Sequence, residues 1–408
     1  MKEVNKKNLT SRLHNVIFYS LVIWFYTGQF FFVGNNKELA TVTAICFFIV
    51  ALVSRLEVIK NNLKEYPEPL YLIFFAALSL TVFRYTSDSS STLLRTVFIC
   101  LFFTLIIPRN AFSKRSISIL LAISSLFLFG VSFYAFAYLN LPRASWKMNP
   151  IPLSTICVSL LIMSTVLFFS FRQRLYRCIN IISVIAAAMS ISISQTRGAW
   201  VALLICIPLM MVFDRRWKTL LSLTILTALT GLFLTFSKPN LLTQQIESRI
   251  EQTQAEIQRI SNNDYGSSIG LRLSMWKSSF ILVKEKPLWG YGNNYHQSLR
   301  DLFNKDMISE SLISLNPNHF HNQTLDSLVR YGIIGTIMLL LPIIIYTYRR
   351  FNERKETYSF ISLMLILTFF ICSLTDVPLS HPESLSFFLI SLSLLYHCSI
   401  DKKISNNV

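Results

Sequence analysis

The sequence predicts an all-α polytopic membrane protein with about 12 transmembrane helices. Of its 408 residues 52% are hydrophobic and the mean hydropathy is +0.48. This composition is too apolar for a soluble fold, because polar residues must cover the surface of such a fold. Apolar runs of about 20 residues, long enough to cross a hydrocarbon core of roughly 30 Å, recur along the whole chain. Lys and Arg gather in alternate loops between these runs, which indicates a fixed orientation in the membrane.

The predicted spans are the apolar runs between polar interruptions. They divide the chain into residues 1–237 with transmembrane helices 1–9, residues 238–323 as a large outer loop, and residues 324–408 with helices 10–12. One run is short, but polar breaks on both sides support it as a span. In order, the spans are 15–33, 38–54, 69–86, 92–107, 116–139, 151–171, 176–193, the short run 199–213, 217–236, 324–347, 358–375 and 384–398.

The loop charges predict the orientation, because cytoplasmic loops carry the excess of Lys and Arg. The short loops of one side hold only Lys37, Arg84, Arg143, Lys147 and Arg197. Both termini are therefore predicted to be cytoplasmic. The basic side holds the N-terminal cluster, Arg55, Lys60, Lys64, Arg109, Lys114, Arg115, Arg172, Arg174, Arg177, Arg215, Arg216, Lys218, Arg349, Arg350, Arg354, Lys355, Lys402 and Lys403.

Composition also excludes other classes of protein. The net charge of +17 comes from basic residues in short loops, where they contact anionic membrane lipids, and the sequence has no basic soluble domain for nucleic acid. The seven Cys show no disulfide or zinc spacing. The basic N-terminus resembles a secretory signal, but the apolar run after it is long and lacks a cleavage site, which predicts an uncleaved first span.

The connection at 238–323 is too long for a structureless loop in a compact protein. Residues 240–262 carry Leu and Ile at helical spacing with Glu, Gln and Arg between them. This pattern predicts an amphipathic helix, which either lies on the membrane or bundle or is a solvated loop helix.

Two arginines stand out on the predicted outer side. Arg197 opens a span within the segment Gln195–Trp200, and Arg272 lies in an apolar, helical stretch of the long loop. Polar groups at span ends are costly unless they have a partner or a task. Arg197 is therefore either an interfacial anchor or a ligand-binding cation, and Arg272 is either an ordinary surface arginine or a second such cation.

A glycine turn follows Arg272 in the same loop. Gly290 and Gly292 flank Tyr291, and such a turn either reverses the chain or brings backbone N–H groups close to a phosphate. Because two glycines favour the plain turn, both residues enter the predicted site only as supporting residues.

Histidines precede the tenth span. His319, His321 and Asn322 lie at its predicted N-terminus, where free N–H groups and the helix dipole favour an anion. His titrates near neutral pH and suits general base catalysis. No Cys and no tight acidic cluster completes a first coordination shell, so no metal is predicted. Gly332 and Gly335, one turn apart, predict close helix packing in the membrane.

Asp376 ends the penultimate span on the same predicted side. Its carboxylate either caps the helix end or orients a His or Arg side chain. A cationic pair, a candidate base and a carboxylate thus converge on one membrane face. Guanidinium groups bind phosphate as a fork, and a lipid carrier delivers its diphosphate to the membrane surface, so the pattern indicates a lipid-linked phosphate substrate.

At these residues the chain resembles the O-antigen ligase family of bacterial inner membranes, within a superfamily that includes O-antigen polymerases. The family's arginine at a periplasmic span start is matched by Arg197, its loop arginine by Arg272, and a late acidic position by Asp376. The family's most specific signature is His, then Asn, Ser or Gln, nine residues, Gly, two residues and Gly. It is matched in full by His321, Asn322, Gly332 and Gly335.

The resemblance implies a GT-C-like fold and an inverting, metal-independent glycosyltransferase of lipopolysaccharide biosynthesis that needs no cofactor. The implied donor is O-antigen on undecaprenyl diphosphate, and the implied acceptor is the outer core sugar of lipid A-core. Arg197 and Arg272 would hold the diphosphate, His321 would act as base, and Asp376 would support the site.

Two alternatives stay open at this point. O-antigen polymerases share the layout and the loop arginines, so the motifs alone do not fix the reaction. A polysaccharide transporter would carry ionisable residues at mid-membrane and pseudo-symmetric halves, whereas the polar residues here crowd one face.

Overall fold

A computed structural model describes residues 2–32, 36–54, 56–87, 90–141, 146–214, 239–262 and 264–406. Within these ranges all regular structure is helical and no β-strand occurs, which confirms the all-α class. The predicted span 217–236 lies outside the described residues. The helices, in chain order, are α1 (Lys2–Ile23), α2 (Asn36–Val53), α3 (Glu57–Glu65), α4 (Pro67–Ser87), α5 (Ser91–Leu105), α6 (Lys114–Phe133), α7 (Pro150–Ser170), α8 (Arg174–Ser194), α9 (Arg197–Asp214), α10 (Pro239–Ser261), α11 (Ser268–Glu285), α12 (Tyr295–Asn304), α13 (Glu310–Leu315), α14 (Gln323–Asn352), α15 (Thr357–Ser373) and α16 (Pro382–Asn406).

Short irregular helical turns extend three of these elements. A π-helical turn at Trp24–Gly28 carries α1 on into Gln29–Phe31, and another at Tyr134–Tyr138 ends α6. A 3₁₀ turn at Pro378–Ser380 leads into α16.

Six of the described helices are long and apolar enough to cross a membrane, namely those in α4, α6, α7, α8, α14 and α16. The bent pair of α2 and α3 would make a seventh, and α5, α9 and α15 are shorter apolar helices. These helices support a polytopic membrane protein. The total of about 12 spans stays a prediction.

Two helices form the centre of the bundle. In the most apolar stretches of α7 and α16, 89% and 94% of the residues are buried inside the protein. Several of their serines are satisfied there because the hydroxyl donates to a carbonyl one turn back, as Ser159 does to Thr155 and Ser393 to Leu389, both at 2.9 Å.

The long connection folds into helices α10 to α13, which together we call the cap (residues 239–262 and 264–322). The cap has a hydrophobic core of its own, which extends onto Val329 of α14. The predicted amphipathic helix is present as α10, where Ile250 and Ile257 are more than half exposed and Glu256 is half-buried. The core consists of Met275, Leu282, Tyr291, Tyr295, Leu299, Leu302, Leu312, Phe320 and Val329.

A backbone pairing that we call the clasp (residues 287–292 against 329–334) joins the cap to α14. At Gly332 the helix breaks, with φ 61° and ψ −170°, a conformation that essentially only glycine adopts. Four backbone bonds span the break, from Tyr291 N to Val329 O at 2.7 Å, Gly292 N to Arg330 O at 2.8 Å, Ile333 N to Pro287 O at 2.8 Å and Ile334 N to Leu288 O at 3.3 Å.

The glycines of the signature therefore have different neighbours. Gly335 packs against the ring of Phe83 on α4, where a side chain would meet a ring carbon at 2.5 Å. Gly332 instead faces the backbone of Leu288 and Trp289 in the cap. The expected close packing between membrane helices holds for Gly335, whereas Gly332 allows the loop of the cap at Leu288 and Trp289 to contact the backbone of α14.

Candidate functional site

The site centres on Asp376, in the turn that follows α15. Its side chain is 3% exposed, and its Oδ1 accepts a hydrogen bond from Nδ1 of His321 at 3.2 Å. His319 Nε2 lies 3.5 Å from the same oxygen. The two imidazole rings contact each other edge to face, with centroids 4.3 Å apart. The structure thus brings His319 and His321 against Asp376, which lies more than fifty residues later in the sequence.

Asn322 and Gln323 fix this meeting. The Asn322 side chain caps α14 by accepting from Thr324 N and Leu325 N, both at 3.1 Å, and donates to Leu374 O at 3.2 Å. Gln323 accepts from Leu379 N at 2.9 Å and donates to the hydroxyl of Ser380 at 3.2 Å. The sequence predicted that the free N–H groups at the start of α14 favour an anion. In the structure two of these groups donate to the Asn322 side chain instead.

The cap fixes the residue between the two histidines. Trp276 of α11 donates to Phe320 O at 3.1 Å, and Phe320 N donates to Asp326 Oδ1 at 3.3 Å. Held from both sides, the chain passes through His321 with φ 48°, a left-handed conformation that costs about 1–3 kcal/mol for a residue other than glycine. Such strain persists only where surrounding contacts impose it, which is typical of functional sites.

Arg197 approaches the same turn from α9. Gly198 allows this approach, because a side chain there would meet the hydroxyl of Thr375 at 2.7 Å. Arg197 and Thr375 line one cavity of about 100 Å³, which we call the arginine cavity, together with Arg272 and Glu256. Arg197 forms an ion pair with Glu256 Oε1 at 3.3 Å.

Arg272 lies one helical turn before Trp276 on α11, so both side chains point to the same side. Burial lowers the pKa of Arg272, an effect that the nearby Asp376 carboxylate opposes and that the positive charge of Arg197 adds to. The guanidinium remains charged, since even a lowered pKa stays far above neutrality for arginine. Two cations and the Glu256 carboxylate therefore share a small, partly desolvated space, and the Asp376 carboxylate lies near it.

Asp376 is ionised in this environment. Burial alone would raise its pKa, but the hydrogen bonds from His319 and His321 outweigh that effect and hold the pKa well below its usual range. A carboxylate only accepts hydrogen bonds, so Nδ1 of His321 carries the proton and its Nε2 is left as the basic nitrogen.

The same three residues are the only group of three or more metal-ligand side chains found among the described residues. Their ligand atoms lie within 4.8 Å of one another, which is close enough for a metal ion. Both histidines, however, share hydrogen bonds to one carboxylate oxygen, and the charge of Arg272 repels a cation. The metal-free site predicted from the sequence therefore stays a prediction, which chelation can test.

Sequence reasoning missed three polar residues. Glu256 was part of an amphipathic pattern, but nothing in that pattern indicated a partner for Arg197. His381 lies near the site, with its ring centroid 6.1 Å from that of His319, and its position just before α16 was the available signal. Arg330 of α14 donates to Asp326 at 3.0 Å and to Asn293 at 2.5 Å, so it holds both side chains in place beside the clasp.

The supporting glycines lie in the clasp. Gly290 and Gly292 both have positive φ, and Gly292 N donates to α14. Their backbone therefore binds a helix carbonyl and positions the cap, and the supporting role of this turn toward a phosphate stays a prediction.

Comparison with known proteins gives two findings. Residues 181–340 match a family model described as O-Antigen ligase. An uncharacterized protein of Haemophilus influenzae is 28% identical over 257 residues, which span 61% of this chain and 60% of the relative. The chain thus covers less than two thirds of that relative's length. Asp376 lies outside the family match, but Arg197, Arg272 and His321 lie inside it, and the match confirms the resemblance that the motifs predicted.

Proposed function

We propose that the chain is an O-antigen ligase. It transfers a glycan from undecaprenyl diphosphate to the outer core sugar of lipid A-core in lipopolysaccharide biosynthesis. One observation carries the proposal: the turn after α15 places Asp376 against His321 and the preceding Thr375 in the arginine cavity. A base and a diphosphate-binding pair therefore belong to one site.

His321 is the general base. Asp376 accepts from its Nδ1, which leaves Nε2 to take the proton of the acceptor hydroxyl as that oxygen attacks the anomeric carbon. The ionised Asp376 stabilises the imidazolium that forms. His319 shares the carboxylate and keeps its position fixed.

Arg197 and Arg272 bind the donor's diphosphate. As the bond between the anomeric carbon and the diphosphate oxygen breaks, the leaving group gains negative charge, which preorganised cations stabilise. Glu256 holds Arg197 until the donor enters, and the phosphate then replaces the carboxylate as its partner. A single displacement of this kind inverts the anomeric centre and needs neither a metal nor a covalent intermediate.

The same proposal includes the topology. Twelve spans in a GT-C-like arrangement, both termini in the cytoplasm and the site on the periplasmic face of the inner membrane would follow from the alternating loop charges. Support comes from the position of Asp376, His321 and the cap at one end of the described helices. Thiol labelling with an impermeant reagent at exposed loop positions, in intact cells, tests it.

Transfer by the full-length protein in nanodiscs tests the reaction. With undecaprenyl-diphosphate glycan and lipid A-core, wild type should produce capped lipid A-core. His321→Ala should slow this by about 10²–10⁴-fold, the usual contribution of a general base. Arg197→Ala should abolish it, because the leaving group then loses half of its cationic pair.

Arg300→Ala is the matched control, since Arg300 is an exposed arginine of the cap that lines no described cavity. It should retain wild-type transfer. Full transfer by His321→Ala or Arg197→Ala, at normal protein abundance, would contradict the role of that residue. Supplying a donor that is already several repeats long separates the two enzymes of the superfamily, because growth of diphosphate-linked glycan without capping would identify a polymerase.

A further inference from the structure

A second polar cavity borders the site on its other side. It has a volume of about 550 Å³, within the range of ligand pockets, and we call it the histidine cavity. Its walls include His296, His319, His381, Asn293, Arg84 and Arg330. Such a lining combines hydrogen-bonding groups with the rings of Tyr295 and Tyr331, a combination that suits a carbohydrate.

Asp376 stands between the two cavities. Thr375, just before it, lines the arginine cavity, and Val377, just after it, lines the histidine cavity. His319 belongs to the histidine cavity as well as to the carboxylate cluster. A displacement at an anomeric carbon needs the leaving group and the attacking hydroxyl on opposite sides of that carbon, and two cavities separated by the base cluster provide this arrangement.

Two imidazoles of this cavity have unused ring nitrogens. Nδ1 of His296 and Nε2 of His381 are buried and have no hydrogen-bond partner among the described residues. An unpartnered buried polar atom costs free energy, which a bound hydroxyl would recover. Burial lowers the pKa of both histidines, so the rings are neutral and suited to exchange hydrogen bonds with uncharged hydroxyls.

The walls of the cavity are held in place. Arg330 bonds to Asp326 and Asn293, and its guanidinium lies 5.0 Å from the centre of the Tyr295 ring. The Tyr295 ring stacks on that of His296, with centroids 4.2 Å apart. The cavity is therefore preorganised rather than formed by flexible surface side chains.

We propose that the histidine cavity binds the acceptor sugar, whose hydroxyl groups hydrogen-bond to His296 Nδ1 and His381 Nε2 while the donor's diphosphate lies in the arginine cavity. This inference rests on the proposed transfer reaction and assigns its second substrate. The acceptor hydroxyl then reaches His321 from the side of His319. It also makes His296 and His381 specificity-determining residues for the acceptor.

Transfer kinetics of the full-length protein test the assignment. With donor saturating and lipid A-core varied, His296→Phe and His381→Phe should each raise the acceptor KM by about tenfold, the loss of one buried hydrogen bond. The donor KM should not change. His381→Gln keeps a polar group in reach of the cavity and should restore most of the acceptor affinity.

The outcomes separate the two ideas. A wild-type protein that never caps lipid A-core refutes the proposed function. An active wild type with phenylalanine variants whose acceptor KM is unchanged, or whose donor KM rises instead, refutes only the acceptor assignment.

A labelling experiment covers the case in which these variants fail to fold. Ser91 is an exposed residue in the wall of the histidine cavity, and Cys178 is an exposed native thiol. In S91C/C178S, lipid A-core should slow maleimide labelling, whereas the undecaprenyl-diphosphate donor should not. Asn304, exposed on the cap and outside the described cavities, supplies the control N304C/C178S, whose labelling should not respond. Equal labelling of S91C/C178S with and without lipid A-core would overturn the proposal.

Discussion

Replacing Gly332 with alanine should open the clasp. The added carbon would collide with the backbone of Leu288 and would lie 2.5 Å from Trp289 N. These are backbone atoms, which cannot rotate away as the end of a side chain can. Either α14 changes its path at the break or the loop of the cap leaves the helix.

The cost follows from two terms. Alanine in the conformation of Gly332 is strained by about 1–3 kcal/mol. Departure of the loop also exchanges the four backbone bonds of the clasp for water, at about 0.5–1.5 kcal/mol each. Together these terms predict a loss of at least about 3 kcal/mol.

Thermal denaturation of the purified protein in detergent measures this loss, and glycan transfer measures its effect on the site. G332A should lower the melting midpoint by several degrees and reduce transfer, because the cap, which carries Arg272 and His321, then loses part of its attachment to α14. Gly130→Ala is the matched control. Nothing lies within 4 Å of the carbon added in α6, so better helix propensity should leave the midpoint equal or raise it. A G332A midpoint equal to that of wild type, or an equal fall in G130A, would refute the account of the clasp.

Three further predictions concern the charges of the site. Asp376→Asn should slow transfer by at least about 100-fold, since an amide no longer fixes the tautomer of His321. Because the folded pKa of Asp376 is depressed, its contribution to stability is fully present above about pH 4 and is lost only as the pH falls through that lower value. A melting midpoint that falls between about pH 7 and about pH 5 in wild type but not in D376N would contradict this. Glu256→Gln should lower the donor KM by up to about fivefold, because Arg197 loses a competing partner, and a raised donor KM would show that Glu256 orients the arginine instead. EDTA should leave transfer unchanged, whereas loss that Zn²⁺ or Mg²⁺ restores would make His319, His321 and Asp376 a metal site.

Much of the site could be predicted from the sequence because its charged residues lie at the ends of apolar runs. Such positions can be recognised from the sequence alone, and the loop charges assign them to a face of the membrane. Arg197, Arg272, His321 and Asp376 were found in this way, and the structure brings them around one turn. Their roles in the reaction came from the family resemblance.

The missing parts depend on contacts between distant segments. The pair of Arg197 and Glu256 joins a span start to the cap across 59 residues, and neither residue predicts the other. The glycine turn at 290–292 and the break at Gly332 each resembled a common local feature, a turn and a helix contact. Only the paired backbone shows that they form one structure. The short helices α5, α9 and α15 likewise leave the number of spans undecided by length alone.

The break at Gly332 also has a mechanical consequence. It separates the first turns of α14, which contact the cap with its His319 and His321, from the long apolar part that extends to Asn352. Because the regular helix is interrupted there, we expect a tilt of the long apolar part, as a bilayer thins or thickens, to bend the chain at the break rather than at the cluster of His319, His321 and Asp376.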